Sequence, residues 1–519
     1  MKNLLRMTLP VCCAFALLAS AAAQESFGGF DDFSDGFSDG FGSSDAAVSP
    51  FTFGLRADTT VRALVGGDAY KGYFDLDDVR DAVSAVPSLT FDLGYSLGAA
   101  EAAVKVAVDT DAVKNHPEDI IEELTLRAYL GDFVLEAGKM KVVWGKGDKL
   151  HVLDNFNAND YTDFIIPDYI DRRLAEPMLR AVWNSPLGLR AEAVYTPLMT
   201  ADRLSSSGMW VPAQSAALTA KVTEVLGVQA AAALNADDAA ALLAVMNKAD
   251  SVVPKTDSFD YGQAGFRLTG TAGIADWGVS YYYGHYKQPS VSWAGYVAAQ
   301  TAAERAKAVA YQTALGASKS PAEAEEAAKE AYIASVAAAG DSALPSLHYD
   351  RLQVFGLEGA AVLGMFNLRA EAAYYLTGDT SGDDPWVHNN SINWIAGFDV
   401  DLPIHNVNVN VQNNGSYLLN NDKIDSVLDA DYDAKDRYTN NKLVVALTDT
   451  FLHEKLELAC NVLWGIERGD VLVMPKVTYT VTPGLDVSVS GLYITGSDDS
   501  EFAAYRDNSF VQLKVAYSF

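Results

Sequence analysis

Val511-Gln512-Leu513-Lys514-Val515-Ala516-Tyr517-Ser518-Phe519 is the last stretch of the sequence. Val511, Leu513, Val515, Tyr517 and Phe519 alternate with smaller or polar residues, and this period of two predicts a β-strand with one apolar face. An open apolar edge strand at the end of a soluble sheet would invite aggregation. The ending therefore favours a sheet that closes into a barrel, because a barrel has no edge.

An apolar strand that ends in Phe resembles the closing strand of bacterial outer-membrane β-barrels. The resemblance implies that Tyr517 and Phe519 form an assembly signal for the barrel-assembly machinery. It also implies that outer-membrane lipid surrounds the protein.

The N-terminus has the features of a secretory signal. Lys2 and Arg6 precede a short apolar run, and Ala21-Ala22-Ala23 precedes Gln24. Residues 1–23 are therefore expected to be a signal peptide, removed when the chain leaves the cytoplasm. A lipoprotein signal at Cys12 is disfavoured, because Val11 is a poor residue before such a cleavage site.

The composition combines apolar and acidic character. The chain is 49% hydrophobic and 11% aromatic, yet its formal charge is −30. Removing the signal takes away Lys2 and Arg6 but no acid, so the mature charge is −32. Nucleic acid is a poor partner for such a chain, whereas a barrel with an apolar outside and a polar inside fits it. No cofactor is predicted.

Residues 24–50 form a low-complexity leader. Phe27-Gly28-Gly29-Phe30 is followed by two Ser-Asp-Gly-Phe units, and Gly, Ser and Asp bury too little surface to order themselves. A flexible periplasmic leader is the expectation. The alternative is a plug, in which the spaced Phe residues dock inside the barrel.

The period of two begins at Phe51 and continues to the C-terminus, so residues 51–519 are predicted to be one barrel domain. Phe51, Phe53 and Leu55 share one face of the first strand, and Arg56 lies on the other. Eight short turns and nine longer connections join the segments that repeat this pattern. The fold class is therefore all-β membrane, a closed antiparallel transmembrane β-barrel of about eighteen strands, with sixteen possible.

Two of the long connections have helical rather than strand character. Residues 213–248 and 294–339 are rich in strong helix formers and lack the period of two. Ser320-Pro321 is typical of a helix start, with an N-cap followed by a first-turn proline. Both inserts are expected on the outer side of the barrel.

One stretch departs from the strand pattern. It runs from Val142-Val143-Trp144-Gly145-Lys146 through Leu150-His151-Val152-Leu153-Asp154 and Pro167-Asp168 to Asp171-Arg172-Arg173. This text resembles the signature region of the DUF1302 family of outer-membrane proteins, over residues 124–183. The family is associated with bacteria that metabolise steroids and hydrocarbons, and the resemblance implies passage of hydrophobic or amphipathic solutes.

The same stretch is dense in both signs of charge. We expect residues 144–174 to fold into the lumen as a constriction, secured by charge pairs to polar wall residues. The loop candidates are Lys146, Asp148, Lys149, Asp154, Asp160, Asp168, Asp171, Arg172 and Arg173. The wall candidates are Arg56, Arg127, Arg180, Arg190, Glu192, Arg369 and Glu371. The alternative is that these pairs only hold a plug or brace the wall.

Enzyme and metal functions find little support in the sequence. The seven His residues are scattered without a metal-ligand spacing, and no Ser-centred motif accompanies them. A hydrolase in the wall would need a Ser-His pair, so this hypothesis is disfavoured. Acidic pairs such as Asp383-Asp384 and Asp498-Asp499 predict an acidic outer rim and a preference for cations.

The sequence therefore predicts an outer-membrane channel or porin for passive or facilitated diffusion of small solutes, hydrophobic ones included. The alternative is a surface-exposed binding or adhesion protein whose barrel is only an anchor. Neither the solute nor the oligomeric state is predicted.

Overall fold

The computed structural model describes seven parts of the chain: residues 50–66, 83–148, 150–166, 168–206, 208–236, 238–246 and 254–519. The predicted signal peptide, residues 24–49 of the leader and Lys149 lie outside the described residues.

An 18-stranded antiparallel sheet forms the body of the protein. Its strands are β1 (Phe51–Leu64), β2 (Val83–Leu97), β3 (Ala100–Asp109), β4 (Ile121–Leu130), β5 (Phe133–Met140), β7 (Glu176–Asn184), β8 (Leu189–Thr196), β10 (Gln263–Ala272) and β11 (Ala275–His285). They continue with β14 (Arg351–Leu363), β15 (Phe366–Thr377), β16 (Ser391–Asp401), β17 (Asn408–Leu418), β18 (Thr439–Phe451), β19 (Leu456–Gly465), β20 (Val471–Thr482), β21 (Leu485–Thr495) and β22 (Phe510–Ser518). Two short pairs lie outside the sheet, β6 (Asp160–Tyr161) with β9 (Arg203–Leu204) and β12 (Ser290–Ser292) with β13 (Ser346–His348).

The sheet closes on itself. Each of the eighteen strands pairs with the next one along the chain, and β22 pairs with β1 from Arg56↔Ser518 to Leu64↔Phe510. The Phe519 backbone N–H donates to the Leu55 carbonyl at 2.9 Å, and the Leu55 N–H donates to the Phe519 carbonyl at 2.8 Å. The predicted closed barrel of eighteen strands is confirmed.

The connections alternate in length around the barrel. Eight are turns of two to six residues. Of the nine connections between them, eight have eleven residues or more and one, 466–470, has five, so the two ends of the barrel chain lie on the short-turn side. Gly131 and Gly364 have φ of +64° and +65° in their turns, a region that glycine adopts without strain. In bacterial barrels the short turns face the periplasm and the long loops face outward.

The two faces of the wall differ as the sequence pattern predicts. In β7, Leu179 is 57% exposed and Trp183 lies on the same outward face, whereas Arg180 between them points into the barrel. In β15, Leu368 and Tyr374 face outward and Glu371 is buried inside. A closed barrel with an apolar outer band satisfies every backbone group within lipid. The protein is therefore located in the outer membrane.

Helices occupy the long connections. They are α1 (Thr110–Lys114), α2 (Ala213–Asn235), α3 (Ala239–Met246), α4 (Ala294–Gly316) and α5 (Pro321–Ala339). Ser320 and Glu323 form a reciprocal capping box at the start of α5, with Pro321 in the first turn. The predicted helical inserts in two outer loops are confirmed.

The two inserts pack against each other outside the barrel. Val225 of α2 and Val336 of α5 are buried in one apolar cluster, and Gln229 donates to the Gly340 carbonyl at 2.8 Å. By length and composition alone, Ala217–Asn235 is apolar enough to cross a membrane. In the structure this segment belongs instead to the outer helical layer.

Candidate functional site

The connection between β5 and β7, residues 141–175, folds into the barrel and is called the inward loop below. Trp144, Leu153 and Phe156 of this loop are almost fully buried, in a cluster with Val354 of β14 and Ile395 of β16. Aromatic edge contacts reinforce this packing, with ring centroids 4.9 Å apart for Trp144 and Phe156. The inward loop therefore fills one side of the lumen.

Glu371 of β15 anchors the tip of the inward loop. Its Oε1 accepts from the backbone N–H groups of Lys146 and Gly147, both at 2.7 Å, and its Oε2 accepts from the N–H of Val152 at 2.9 Å. The His151 ring nitrogen Nδ1 lies 3.1 Å from Oε1. A Cβ on Gly145 would stand 2.3 Å from that oxygen, so only glycine leaves the carboxylate room.

Polar side chains of other strands hold the same tip. The indole N–H of Trp144 donates to Glu192 of β8 at 2.8 Å. Gln412 of β17 accepts from the Asp148 N–H at 3.1 Å and donates to the Leu150 carbonyl at 2.8 Å. The Asp148 carboxylate also forms an ion pair with Arg369. The inward loop is therefore attached to three separate parts of the wall.

The base of the inward loop depends on Glu176 and Asn157, which the sequence prediction did not include. Glu176 is fully buried, pairs with Lys287 at 3.0 Å and accepts from the Gln263 side chain at 3.2 Å. Asn157 accepts from the Val142 N–H at 2.8 Å and donates to the Leu174 carbonyl at 2.9 Å. Burial disfavours the Lys287 cation and leaves its pKa below the ordinary lysine value, despite the nearby Glu176.

Asp154, Tyr169 and Arg173 form a buried cluster inside the inward loop. Arg173 forms an ion pair with Asp154, contacts the Tyr169 hydroxyl and donates to the Asn157 carbonyl at 2.7 Å. Burial disfavours the Arg173 cation, but Asp154 outweighs it and raises the pKa of Arg173 above the usual arginine value. These three residues stabilise the loop itself rather than facing the pore.

The other predicted loop residues occupy varied positions. Lys146 is 3.8 Å from Asp276 of β11, and Asp160 pairs with Arg203 at 2.8 Å. Asp168 and Asp171 are exposed, and the Arg172 side chain is buried. Lys149 lies outside the described residues.

Four of the five predicted wall arginines lie beside wall acids, whereas Arg369 pairs with Asp148 of the inward loop. Arg127 lies 2.6 Å from Glu136, and Arg180 bridges Glu136 at 2.8 Å and Glu192 at 2.9 Å. Arg190 is 3.8 Å from Glu192, and Arg56 is 3.5 Å from Asp58 on its own strand. Among the predicted wall residues, Glu192, Arg369 and Glu371 contact the inward loop directly, and neighbouring strands place carboxylates beside the other arginines.

A continuous cavity of about 4960 Å³ remains beside the inward loop. It follows the wall of β1–β5 and β18–β22, from Gly484 and Phe519 at the short-turn end to Trp293 and Val427 among the outer loops. Acidic and basic side chains line it in nearly equal numbers. The cavity thus joins the two ends of the barrel within the part of the chain that the structure describes.

Ser290, Asp350 and His388 meet where outer loops join. Both the Ser290 hydroxyl and the Asp350 carboxylate contact the same ring nitrogen, Nδ1 of His388, at 2.7 and 2.8 Å. A hydrolytic triad needs the serine on one ring nitrogen and the carboxylate on the other. The cluster instead joins two outer loops, and His348 extends it with a contact of 3.0 Å to Asp350.

One group of potential metal ligands occurs among the described residues. His116, Glu118 and Asp119 bring ligand atoms within 4.8 Å of one another at the start of β4. Asp119 is already paired with Arg203 at 2.6 Å and with Lys139 at 3.3 Å. Its charge is therefore balanced within the protein.

The predicted acidic rim is largely ion-paired. Lys423 lies 2.7 Å from Asp383, and Arg506 lies 2.6 Å from Asp498. Arg437 lies 3.0 Å from Asp499. These pairs reduce the negative field that the bare acids would set at the outer mouth.

A search of curated protein sequences finds no match. Among solved structures, the chain is similar to OccAB4 of Acinetobacter baumannii (10% identity, TM-score 0.44, 90% of this chain and 97% of that one). It is likewise similar to a BenF-like porin of Pseudomonas fluorescens (10% identity, TM-score 0.43, 91% and 97%) and to OpdO of Pseudomonas aeruginosa (11%, 0.42, 90% and 96%).

The sequence signature of the family described as "Protein of unknown function (DUF1302)" matches residues 126–385. This range contains the inward loop, both helical inserts and the strands from β5 to β15, together with the second half of β4. The match covers half of the chain, and the chain therefore belongs to the DUF1302 family.

Proposed function

We propose that this porin-like barrel is a channel for passive or facilitated diffusion of small solutes, hydrophobic ones included, with the inward loop as its constriction. The observation that carries the proposal is the division of the lumen. The inward loop is fixed to β8, β15 and β17 on one side, and a continuous cavity follows the opposite wall. A barrel that served only as an anchor would have no need of such a path.

The fixed loop also supports selectivity. Its tip residues Lys146 and Asp148 line the cavity together with Arg369, so both signs of charge face a passing solute. Opposed charges across a narrow passage create a local field that discriminates among solutes. Because buried hydrogen bonds hold the tip, this field has a fixed geometry.

The test replaces residues 144–174 by a short Gly-Ser linker and measures single-channel conductance in planar bilayers. We expect the conductance to rise several-fold, because the linker frees the side of the lumen that the inward loop fills. The matched control replaces 294–339, the α4–α5 insert, by a similar linker. The ends of that insert already meet through the β12–β13 pair, so its loss should leave conductance nearly unchanged.

The second candidate function is a surface-binding protein anchored by its barrel. It is favoured by the packed layer of α2, α4 and α5, which two of the long loops contribute. Under this function, replacing 144–174 would change conductance very little. If conductance is negligible in both the intact and the loop-replaced proteins, the result favours the surface-binding function over the channel function.

A further inference from the structure

Arg172 occupies a distinct position on the inward loop. Its backbone carbonyl accepts from the Asp160 N–H at 2.7 Å, and the neighbouring residues Asn159 and Arg173 form a β-bridge. The residue is only 8% exposed, yet it lines the lumen cavity. The loop backbone therefore holds a largely desolvated guanidinium at the edge of the solute path.

The Arg172 guanidinium has no acidic partner among the residues that the structure describes. No carboxylate oxygen lies within 4.0 Å of it, and its buried Nε has no hydrogen-bond partner there. The Tyr161 ring lies beside it, with the ring centroid 5.9 Å from Cζ. Arg173 and Arg203, on the same part of the fold, both pair with aspartates.

An unpaired buried cation lowers the stability of the folded protein, so this arrangement calls for a functional explanation. Burial lowers the pKa of Arg172 below the usual arginine value, and the adjacent Arg173 charge acts in the same direction. The exposed Asp168 and Asp171 flank it in sequence but stay outside ion-pair distance. An anion that enters the cavity would supply the missing partner.

The inward loop also contributes apolar side chains to the lumen cavity. Ile170 is 42% exposed, and Ile165 and Ile166 of the same loop also line the cavity. Phe164 stacks on Trp210 with ring centroids 4.9 Å apart, and both residues line the cavity as well. A solute in this cavity therefore meets the Arg172 cation and apolar side chains that come mostly from the same loop.

We propose that Arg172 is the carboxylate-binding residue of a lumen site for amphipathic organic monocarboxylates. The guanidinium offers a planar fork that matches a carboxylate, and the isoleucines and rings contact the apolar body of the solute. This inference rests on the proposed channel function, since the solute must enter the lumen.

The test uses three probes of one shape and different charge: 4-phenylbutyrate, 4-phenylbutyramide and 4-phenylbutylamine. Binding to the full-length protein in detergent is measured by calorimetry, and block of single-channel current is measured in bilayers. We expect 4-phenylbutyrate to bind and to block, and the amide and amine to do so at least about tenfold more weakly, because a charge-assisted bond is lost.

Three variants locate the effect. Arg172→Gln should weaken 4-phenylbutyrate binding by about tenfold or more, and Arg172→Lys should fall between Gln and the original. Arg56→Gln, a cavity arginine 3.5 Å from Asp58, is the matched control and should change binding little. Arg172→Gln should also leave the melting temperature equal or higher, because it removes an unpaired buried charge.

Equal binding of acid and amide, or unchanged binding by Arg172→Gln, would overturn the inference. A fall in melting temperature of Arg172→Gln would also overturn it, since it would reveal a structural partner. A conducting pore without carboxylate binding would refute only this site. A protein that binds the carboxylate through Arg172 but does not conduct would refute the channel and leave the site.

Discussion

Glu371 receives three backbone N–H groups of the inward loop, and this makes it the residue whose loss we expect to matter most for loop position. Glu371→Ala leaves these buried donors without an acceptor, at about 1–3 kcal/mol each. The loop tip should detach from β15, and single-channel current should become larger and noisier. Glu371→Gln keeps one acceptor oxygen and should show an intermediate change.

The control for this prediction is Glu101→Gln. Glu101 also lines the cavity, but its contacts are with Arg127 at 3.6 Å and with Tyr129, both on the wall. Its replacement should leave the current noise unchanged. Equal noise in the Glu101 and Glu371 variants would contradict a specific anchoring role for Glu371.

For single residues, the sequence predicted only which face of a strand each one occupies. The period of two identified Glu371, Arg369 and Arg180 as polar wall residues, and their lumen-facing positions agree with it. The partners of Glu371 could not be predicted, because they are backbone N–H groups of a loop 220 or so residues earlier. Gln412 and Glu176 carried no signal at all, since an isolated polar residue on a strand is ordinary in a barrel.

The closing strand β22 gives the next prediction. Deleting Phe519 removes two backbone hydrogen bonds to Leu55, together worth about 2 kcal/mol, and the ring contact with Tyr517. We expect a smaller folded fraction on refolding into detergent or lipid, measured as the heat-modifiable band on electrophoresis. Phe519→Trp keeps the backbone bonds and an aromatic ring, and it should fold nearly as well as the original. An unaffected deletion would contradict the closure role of this residue.

The outer loops should respond to pH through His388. Burial lowers the pKa of this ring, but the Asp350 hydrogen bond and nearby Asp431 outweigh it, so the pKa lies above the ordinary histidine value. Hydrogen bonds from His348, His388 and Ser290 hold the pKa of Asp350 below its usual range against the effect of burial. The Tyr286 ring stacks on His388 from the other side.

The directions of these two pKa shifts define a pH range in which the contacts around His388 and Asp350 are most stable. The contribution of His388 to stability is fully present below about pH 6.5 and is lost as the pH rises through its raised pKa. The contribution of Asp350 to stability is fully present above about pH 4 and is lost as the pH falls through its lowered pKa. The protection of residues 378–390 against amide exchange, taken relative to the intrinsic exchange rate at each pH, should therefore be highest between about pH 4 and 6.5. Asp350→Asn should flatten this pH dependence. A flat pH dependence in the unmodified protein would contradict its assignment to His388 and Asp350.

Elements were predicted more completely than residues. The strand count, the alternation of short and long connections and the helical inserts all follow from local period and turn chemistry, which a single sequence displays. The pairs β6–β9 and β12–β13 were not predicted, because each strand is two or three residues long and its partner is more than forty residues away.

At the scale of the whole molecule, the closure of the sheet into a barrel could be predicted from the sequence. The side of the lumen that the inward loop fills could not. An apolar outer face and a polar inner face on every segment require a barrel in lipid. The side on which the inward loop packs depends on apolar contacts such as Phe156 with Tyr282, with ring centroids 5.1 Å apart, between distant parts of the chain. Sequence pattern alone specifies no such contact.

The charge of the whole molecule leads to the last prediction, on ion selectivity. The formal charge of −30 favours cations, but the rim acids are paired with Lys423, Arg437 and Arg506, and the cavity lining is nearly balanced. We therefore expect a weak cation preference, read as a small reversal potential in a tenfold KCl gradient. The preference should be clear near 0.01 M salt, where screening extends over about 30 Å, and vanish near 1 M, where it extends over about 3 Å. An anion preference at low salt would mean that unpaired bases such as Arg172 dominate the field of the pore, rather than the acidic excess of the chain.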